Sequence, residues 1–189
     1  MATGFGYKPV RHLSGGKLRV RPYVIPSTNG TALYIGDVVQ LAGGHDAAAG
    51  LPTITQNVAG EVMCGVVVGF QYNAAEPYKQ FRAASTRQIV QVCDDPNAVF
   101  QVQEDADGGA ISAANVGSSL NADNIVAAGS AVTGLSGHML DSNTAAATAA
   151  QFKIVGILRD ASNAAAQSGG AILEVVPFEH AYTATDSIT

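Results

Sequence analysis

Between Glu61 and Phe70 the chain reads Glu61-Val-Met-Cys-Gly-Val-Val-Val-Gly-Phe70, an apolar stretch punctuated by Gly65 and Gly69. Three consecutive valines crowd a helix but pack well on a pleated surface, so the run reads as a strand. The same grammar recurs along the chain. Tyr23-Val-Ile-Pro26 is extended and stopped by proline. Leu33 to Leu41 is a strand interrupted at Gly36-Asp37, and Ile54 opens a short one. Arg87 to Cys93 alternates polar and apolar, and Ala98 to Glu104 puts Ala98, Phe100 and Val102 on one face. His138 to Leu140 has strand character, and Gln151 to Arg159 and Ala171 to Phe178 complete the set.

Turn chemistry separates these runs. Asn29-Gly30 is the strongest local hairpin signal, and Asp94-Asp-Pro-Asn97 predicts a hairpin between its two flanking strands. Gly43 to Gly50 reads as a loop, and Asn73 to Ala84 as a surface connection carrying Pro77, Lys79 and Arg82. Ile111 to Val116 reads as a short helix ended by Gly117. About seven to nine short strands result. The expected fold is mainly β: a small antiparallel β-barrel or sandwich with long loops and little helix.

Charge divides the chain. The first carboxylate is Asp37, while Lys8, Arg11, Lys17, Arg19 and Arg21 supply five of the ten Lys and Arg residues. The first 36 residues therefore carry +5 and the remainder −10, within an overall −5. A basic, glycine-rich segment with few large apolar side chains buries little of itself and is expected to lie on something negatively charged. The predicted organisation is an extended N-terminal arm over 1–22, a β-domain over 23–180 and a polar tail over 181–189. Lys17 to Arg21 alternates and could add as an edge strand, either to a partner or to its own domain. Charged residues make up only 13%, about half the usual share, which suits a surface partly covered by partners or a neutral Ala/Gly/Ser/Thr surface. Trp is absent, and an acidic body repels phosphate, so no nucleic-acid partner is expected.

Reactive constellations are not legible. Cys64 and Cys93 both lie in apolar strands and read as buried free thiols, although spacing alone leaves a disulfide open. His12, His45, His138 and His180 are too scattered to share a metal, so none is expected. Gly15-Gly-Lys17 lacks the spacing and the following helix of a phosphate loop. Gly134-Leu-Ser-Gly137 lacks the last glycine of a nucleophile elbow, and Ser136 is too near His138 in sequence to read as its catalytic partner. Glu104, Asp105 and Asp107, followed by Gly108, could surround a hard cation but lack the bidentate glutamate of a calcium loop; a solvated turn accounts for them. Asp94-Asp95 before proline is turn chemistry rather than an acid–base dyad. Neither an enzyme nor a cofactor is expected. No apolar run reaches the ~18 residues of a membrane span. The N-terminal residues also lack the apolar stretch of a secretory leader, so synthesis in a reducing cytosol is expected.

The stretch Val92-Cys-Asp-Asp-Pro-Asn-Ala-Val-Phe-Gln-Val-Gln-Glu-Asp105, a Gly/Ala/Asn segment, Gly134-Leu-Ser-Gly-His-Met-Leu-Asp-Ser142, an Ala/Thr tract and Phe152-Lys-Ile-Val-Gly-Ile-Leu-Arg-Asp160 follow one another in order. Across residues 85–178 this order resembles the decoration, or cement, proteins of tailed-bacteriophage heads. The resemblance implies a mainly β, often trimeric virion protein on the capsid exterior, seated between major capsid subunits and stabilising the shell. Its partners would be the major capsid protein and further copies of itself. On that reading Lys8, Arg11, Lys17, Arg19 and Arg21 contact the capsid. Alternatives are a minor capsid or tail protein, or a surface or carbohydrate-binding β-module; the latter is disfavoured by the scarcity of aromatic residues.

Overall fold

The structure is a computed structural model that describes residues 4–74, 76–105, 107, 111, 116, 120–145, 150–158 and 170–183. Among the described residues the architecture is all strand and turn, without helix. Five strands close a barrel in the order β2 (Val20–Ile25), β5 (Leu51–Gln56), β4 (Val38–Asp46), β6 (Gly65–Phe70) and β8 (Gln88–Cys93). Its pairings are antiparallel apart from a parallel contact of β2 with β5 at Val24 and Thr53. A second sheet orders β1 (Lys8–His12), β9 (Ala98–Gln103), β14 (Ile172–Pro177), β13 (Phe152–Ile157) and β10 (Asn121–Ala122), all antiparallel. Two short pairs join them: β3 (Leu33–Tyr34) with β7 (Phe81–Arg82), and β11 (Asn124–Ile125) with β12 (Met139–Leu140).

The sheet packs on the outside of the barrel, and the shared wall explains the run of apolar residues noted above. Side chains alternate across a strand. Val39, Cys64, Val67, Val90 and Val92 point into the barrel with Tyr23, Ile25, Leu33 and Ile54. Their neighbours Val38, Met63, Val66 and Cys93 point outward into a second core with Tyr7, Phe100, Phe152 and Leu173 of the sheet. Strands buried on both faces lose the polar half of their alternation. Gly65 lets β6 press on β8, because a Cβ there would stand 2.4 Å from the Cys93 carbonyl oxygen. Gly36, at φ +96°, takes the left-handed turn that parts β3 from β4.

Several local expectations give way to tertiary pairing. The Asp94–Asn97 turn forms, with Ala98 N bonded to Asp95 O at 3.1 Å, but β8 and β9 are not a hairpin. β8 already has β2 and β6 on its two edges, so the turn carries the chain from barrel to sheet. Asn29-Gly30 likewise joins no hairpin, since β2 pairs with β5 and β8. Gly43 to Gly50 is not simply a loop: β4 continues to Asp46 and returns as β5, forming a ribbon exposed from Leu41 to His45. Arg82 is not on the surface but fully buried.

The basic segment is strands of the body rather than a separate arm. β1 is the sheet edge beside β9, and the boundary at residue 22 falls inside β2. Period-two alternation shows that a segment can pair, not with which sheet. The proposed helix over 111–116 lies largely outside the described residues.

Candidate functional site

Arg19 and Arg21 emerge at the start of β2 with Val20 between them, so both project to the same side of the strand. Both meet Asp94, the first residue of the crossing turn. Arg19 Nε donates to Asp94 Oδ1 at 2.8 Å, and Arg21 Nε donates to Oδ2. Tyr23 Oη also donates to Oδ2, at 2.6 Å. The Asp94 side chain is fully buried, whereas the arginine side chains are 43% and 45% exposed. Burial would raise the Asp94 carboxyl, but the hydrogen bonds from Tyr23, Arg19 and Arg21 outweigh it and hold the group below its ordinary value. Burial, followed by the bond to Asp94, pushes the Tyr23 phenol strongly upward, so it remains a donor.

The neighbouring groups complete a clasp. Arg19 N donates to Asp95 Oδ2 at 3.2 Å, and His12 Nε2 stands 3.6 Å from the same oxygen. Leu13 N donates to Asn97 O at 2.8 Å. From the C-terminal side, the Tyr182 ring lies 4.6 Å from the Arg21 guanidinium carbon and 5.7 Å from that of Arg19, within cation–π range.

The five cations assigned to contact from sequence are all exposed, but they are not one group. Arg19 and Arg21 share Asp94. Arg11, on β1, pairs with Glu174 of β14 at 2.7 Å, too far along the fold for sequence spacing to suggest. Lys8 stands at the rim of an apolar groove of about 640 Å³ between β1 and the barrel, lined by Tyr7, Pro9, Val67 and Ile172. Lys17 lies in the exposed loop between β1 and β2 and makes no ion pair among the described residues. Asp94 and Tyr182 were not legible as parts of this face. An aspartate in a turn signals a turn, and nothing local marks it as the anchor for two distant arginines.

Elsewhere the fold gathers polar groups without building a catalytic arrangement among the described residues. Asp37, Ser136 and His138 converge, all buried. His138 Nε2 lies 3.4 Å from Asp37 Oδ1, and Nδ1 accepts from Val38 N at 3.3 Å. Ser136 Oγ accepts from His138 N at 2.9 Å, and its hydroxyl bonds Asp37. The serine hydroxyl thus faces the carboxylate rather than an imidazole nitrogen, which is not the geometry of a base-activated nucleophile. Burial raises Asp37 to about 6 and lowers His138 to about 4. His45 is exposed on the ribbon. His180 is buried and lowered by burial to about 4.

Of the acidic trio read from sequence, Glu104 turns inward and accepts from Ile111 N at 2.9 Å and Ala171 N at 3.2 Å. Asp141 takes its place beside Asp105 and Asp107, their oxygens lying within 4.8 Å of one another. A hard cation could bridge such a group, but Ser142 Oγ on Asp105 at 2.7 Å and the Asn143 amide on Asp107 already account for its geometry. Cys64 and Cys93 are free and buried, one in each core, and burial pushes both thiols up to about 11. Comparison with protein families, curated proteins and solved structures finds no match to this chain.

Proposed function

We propose that this chain is a structural protein of a tailed-bacteriophage virion, a decoration protein that seats on the outside of the head between major capsid subunits and stabilises the shell. The observation that carries the reading is a set of exposed cations built into paired strands of the body, three of them anchored by ion pairs to Glu174 or Asp94. Five exposed cations lie on β1, β2 and their connecting loop, while the chain beyond residue 36 carries −10. A protein that grips neighbours needs a stiff body and a complementary face rather than a reactive centre. The resemblance over 85–178 supports the same reading, since it covers β8, β9, β12, β13 and β14. It also supplies the expectation of a homotrimer, in which several weak contacts add through multivalency.

The test is to mix purified protein with empty heads built from the major capsid protein of the same phage and image them by electron cryomicroscopy. Added density on the outer surface and a raised melting temperature of the shell are expected. Density confined to the tail or portal, or no binding, removes the reading. Light scattering of the free protein checks the trimer.

A further inference from the structure

We infer that Leu13, Lys17, Arg19, Arg21 and Tyr182 form one contact face, aimed by the buried Asp94, that fits an acidic protein surface with an apolar recess; the inference rests on the proposed role and names the face that performs it. Contiguity follows from the crossing turn. Leu13 is bonded to Asn97, Arg19 to Asp94 and Asp95, and Arg21 to Asp94. Tyr182 lies against both guanidiniums. Two large apolar side chains face solvent there: Leu13 is 52% exposed and Tyr182 39%. Arginine and tyrosine beside exposed aliphatic groups are what protein interfaces concentrate.

The charge is also directed outward. Two guanidiniums share one carboxylate, and that carboxylate is fully buried while both cations reach solvent. Asp95 is 6% exposed, so the second acid is hidden too. Lys17 adds a further outward positive charge. Because Asp94 already fixes both arginines, little side-chain freedom remains to be lost on contact. A nucleic acid fits this face less well than an acidic protein. The apolar groups find no counterpart on a phosphate backbone, and the −10 remainder repels it.

The test uses Leu13→Asp with Lys17→Glu in the full-length protein. Neither side chain makes a hydrogen bond or ion pair among the described residues, and Lys17→Glu alone serves if the pair fails to fold. With circular dichroism and Tm unchanged, affinity for empty heads is expected to fall by about tenfold or more, and its salt dependence to flatten. Wild-type binding that survives the substitutions overturns the face while leaving the proposed function standing. Wild type that ignores heads altogether removes the proposed function; the face is then judged on poly-L-glutamate at low salt, where wild type is expected to be retained and the variant not. Equal retention overturns it. Tighter patch-dependent binding to duplex DNA than to poly-L-glutamate, or a change in oligomer mass in the variant, also overturns the assignment to an acidic protein partner.

Discussion

Arg82 shows how much one buried cation can organise. Its guanidinium donates to the carbonyl oxygens of Thr86 at 2.7 Å, Pro26 at 2.8 Å, Asn29 at 2.9 Å and Thr31, so it closes the turn after β2 against β7. Arg82→Met removes this shared donor from four carbonyl oxygens, of which those of Pro26 and Asn29 keep the amides of Asn29 and Ser85, and is expected to cost about 1–3 kcal/mol; Arg82→Lys, with fewer donors in a different geometry, recovers only part of it. A urea midpoint for either variant within error of wild type would refute this account. The buried Asp37 makes a second prediction. Its native carboxyl keeps its proton up to about pH 6, against an ordinary value of 3.8. Its stabilising contribution is therefore full below pH 3.8 and lost as pH rises through 6, a swing of ~3 kcal/mol. His138, lowered from 6.5 to about 4, loses its contribution as pH falls between those values, so the two slopes oppose. Asp37→Asn removes the first slope, and its stability relative to wild type is expected to climb between pH 4 and 7.5; a difference independent of pH sinks the idea. Neither residue was legible beforehand: burial of a polar side chain depends on distant backbone, which local pattern does not record.

At the level of elements, β1 and β2 bind the basic segment to the body. Tyr7, just before β1, is 1% exposed and stacks on Phe152 of β13 with ring centroids 4.6 Å apart. Removing residues 1–21 would take β1, Tyr7 and the start of β2 with it, so such a truncation is expected to unfold the protein rather than merely release it from a partner. The clasp is the other tie. Asp94→Ala leaves Arg19, Arg21 and the buried Tyr23 hydroxyl without their common acceptor; the half-exposed arginines are screened by water, so the expected loss is about 1–2 kcal/mol. Because the Asp94 carboxyl lies below its ordinary value, that stabilisation is present above pH 3.8 and is lost as pH falls through the native value. Guanidine melts of wild type and variant at pH 7 and pH 2.5 should therefore differ less at the lower pH. Element existence was readable because strand periodicity and turn residues are local: β3, β4, β6, β8, β9, β13 and β14 all lie where apolar runs indicated. Pairing was not readable, as the crossing at Asp94–Asn97 shows, because the choice between a hairpin and a change of sheet is made by which edges β2 and β6 already occupy.

For the whole molecule, the shared wall of β4, β6 and β8 couples the two cores. The barrel cannot open without exposing Val38, Val66 and Cys93 to water, nor the sheet peel away without exposing the same side chains. A single unfolding transition is expected in calorimetry, with both thiols becoming reactive together. Below it, Cys64 and Cys93, buried and raised to about 11, should resist a disulfide reagent at pH 8; labelling of one before the other would mean that the cores part independently. The mainly β class, the apolar runs and the cationic segment were plain in the chain. The face they build was not, since it joins Leu13, Arg21 and Tyr182 across the fold.

The β4–β5 ribbon is exposed from Leu41 to His45, and its tip at Ala47 to Gly50 is tied down where Arg87 pairs with Asp46 at 2.8 Å. A foreign peptide spliced between Ala47 and Ala48 would part Asp46 from the Ala49 and Gly50 amides whose hydrogen bonds it accepts, yet leave the ladder of Val39 to Leu41 with Ile54 to Gln56 in place. Under the proposed role, each copy seated on a shell would offer that tip as a graft point for regular display.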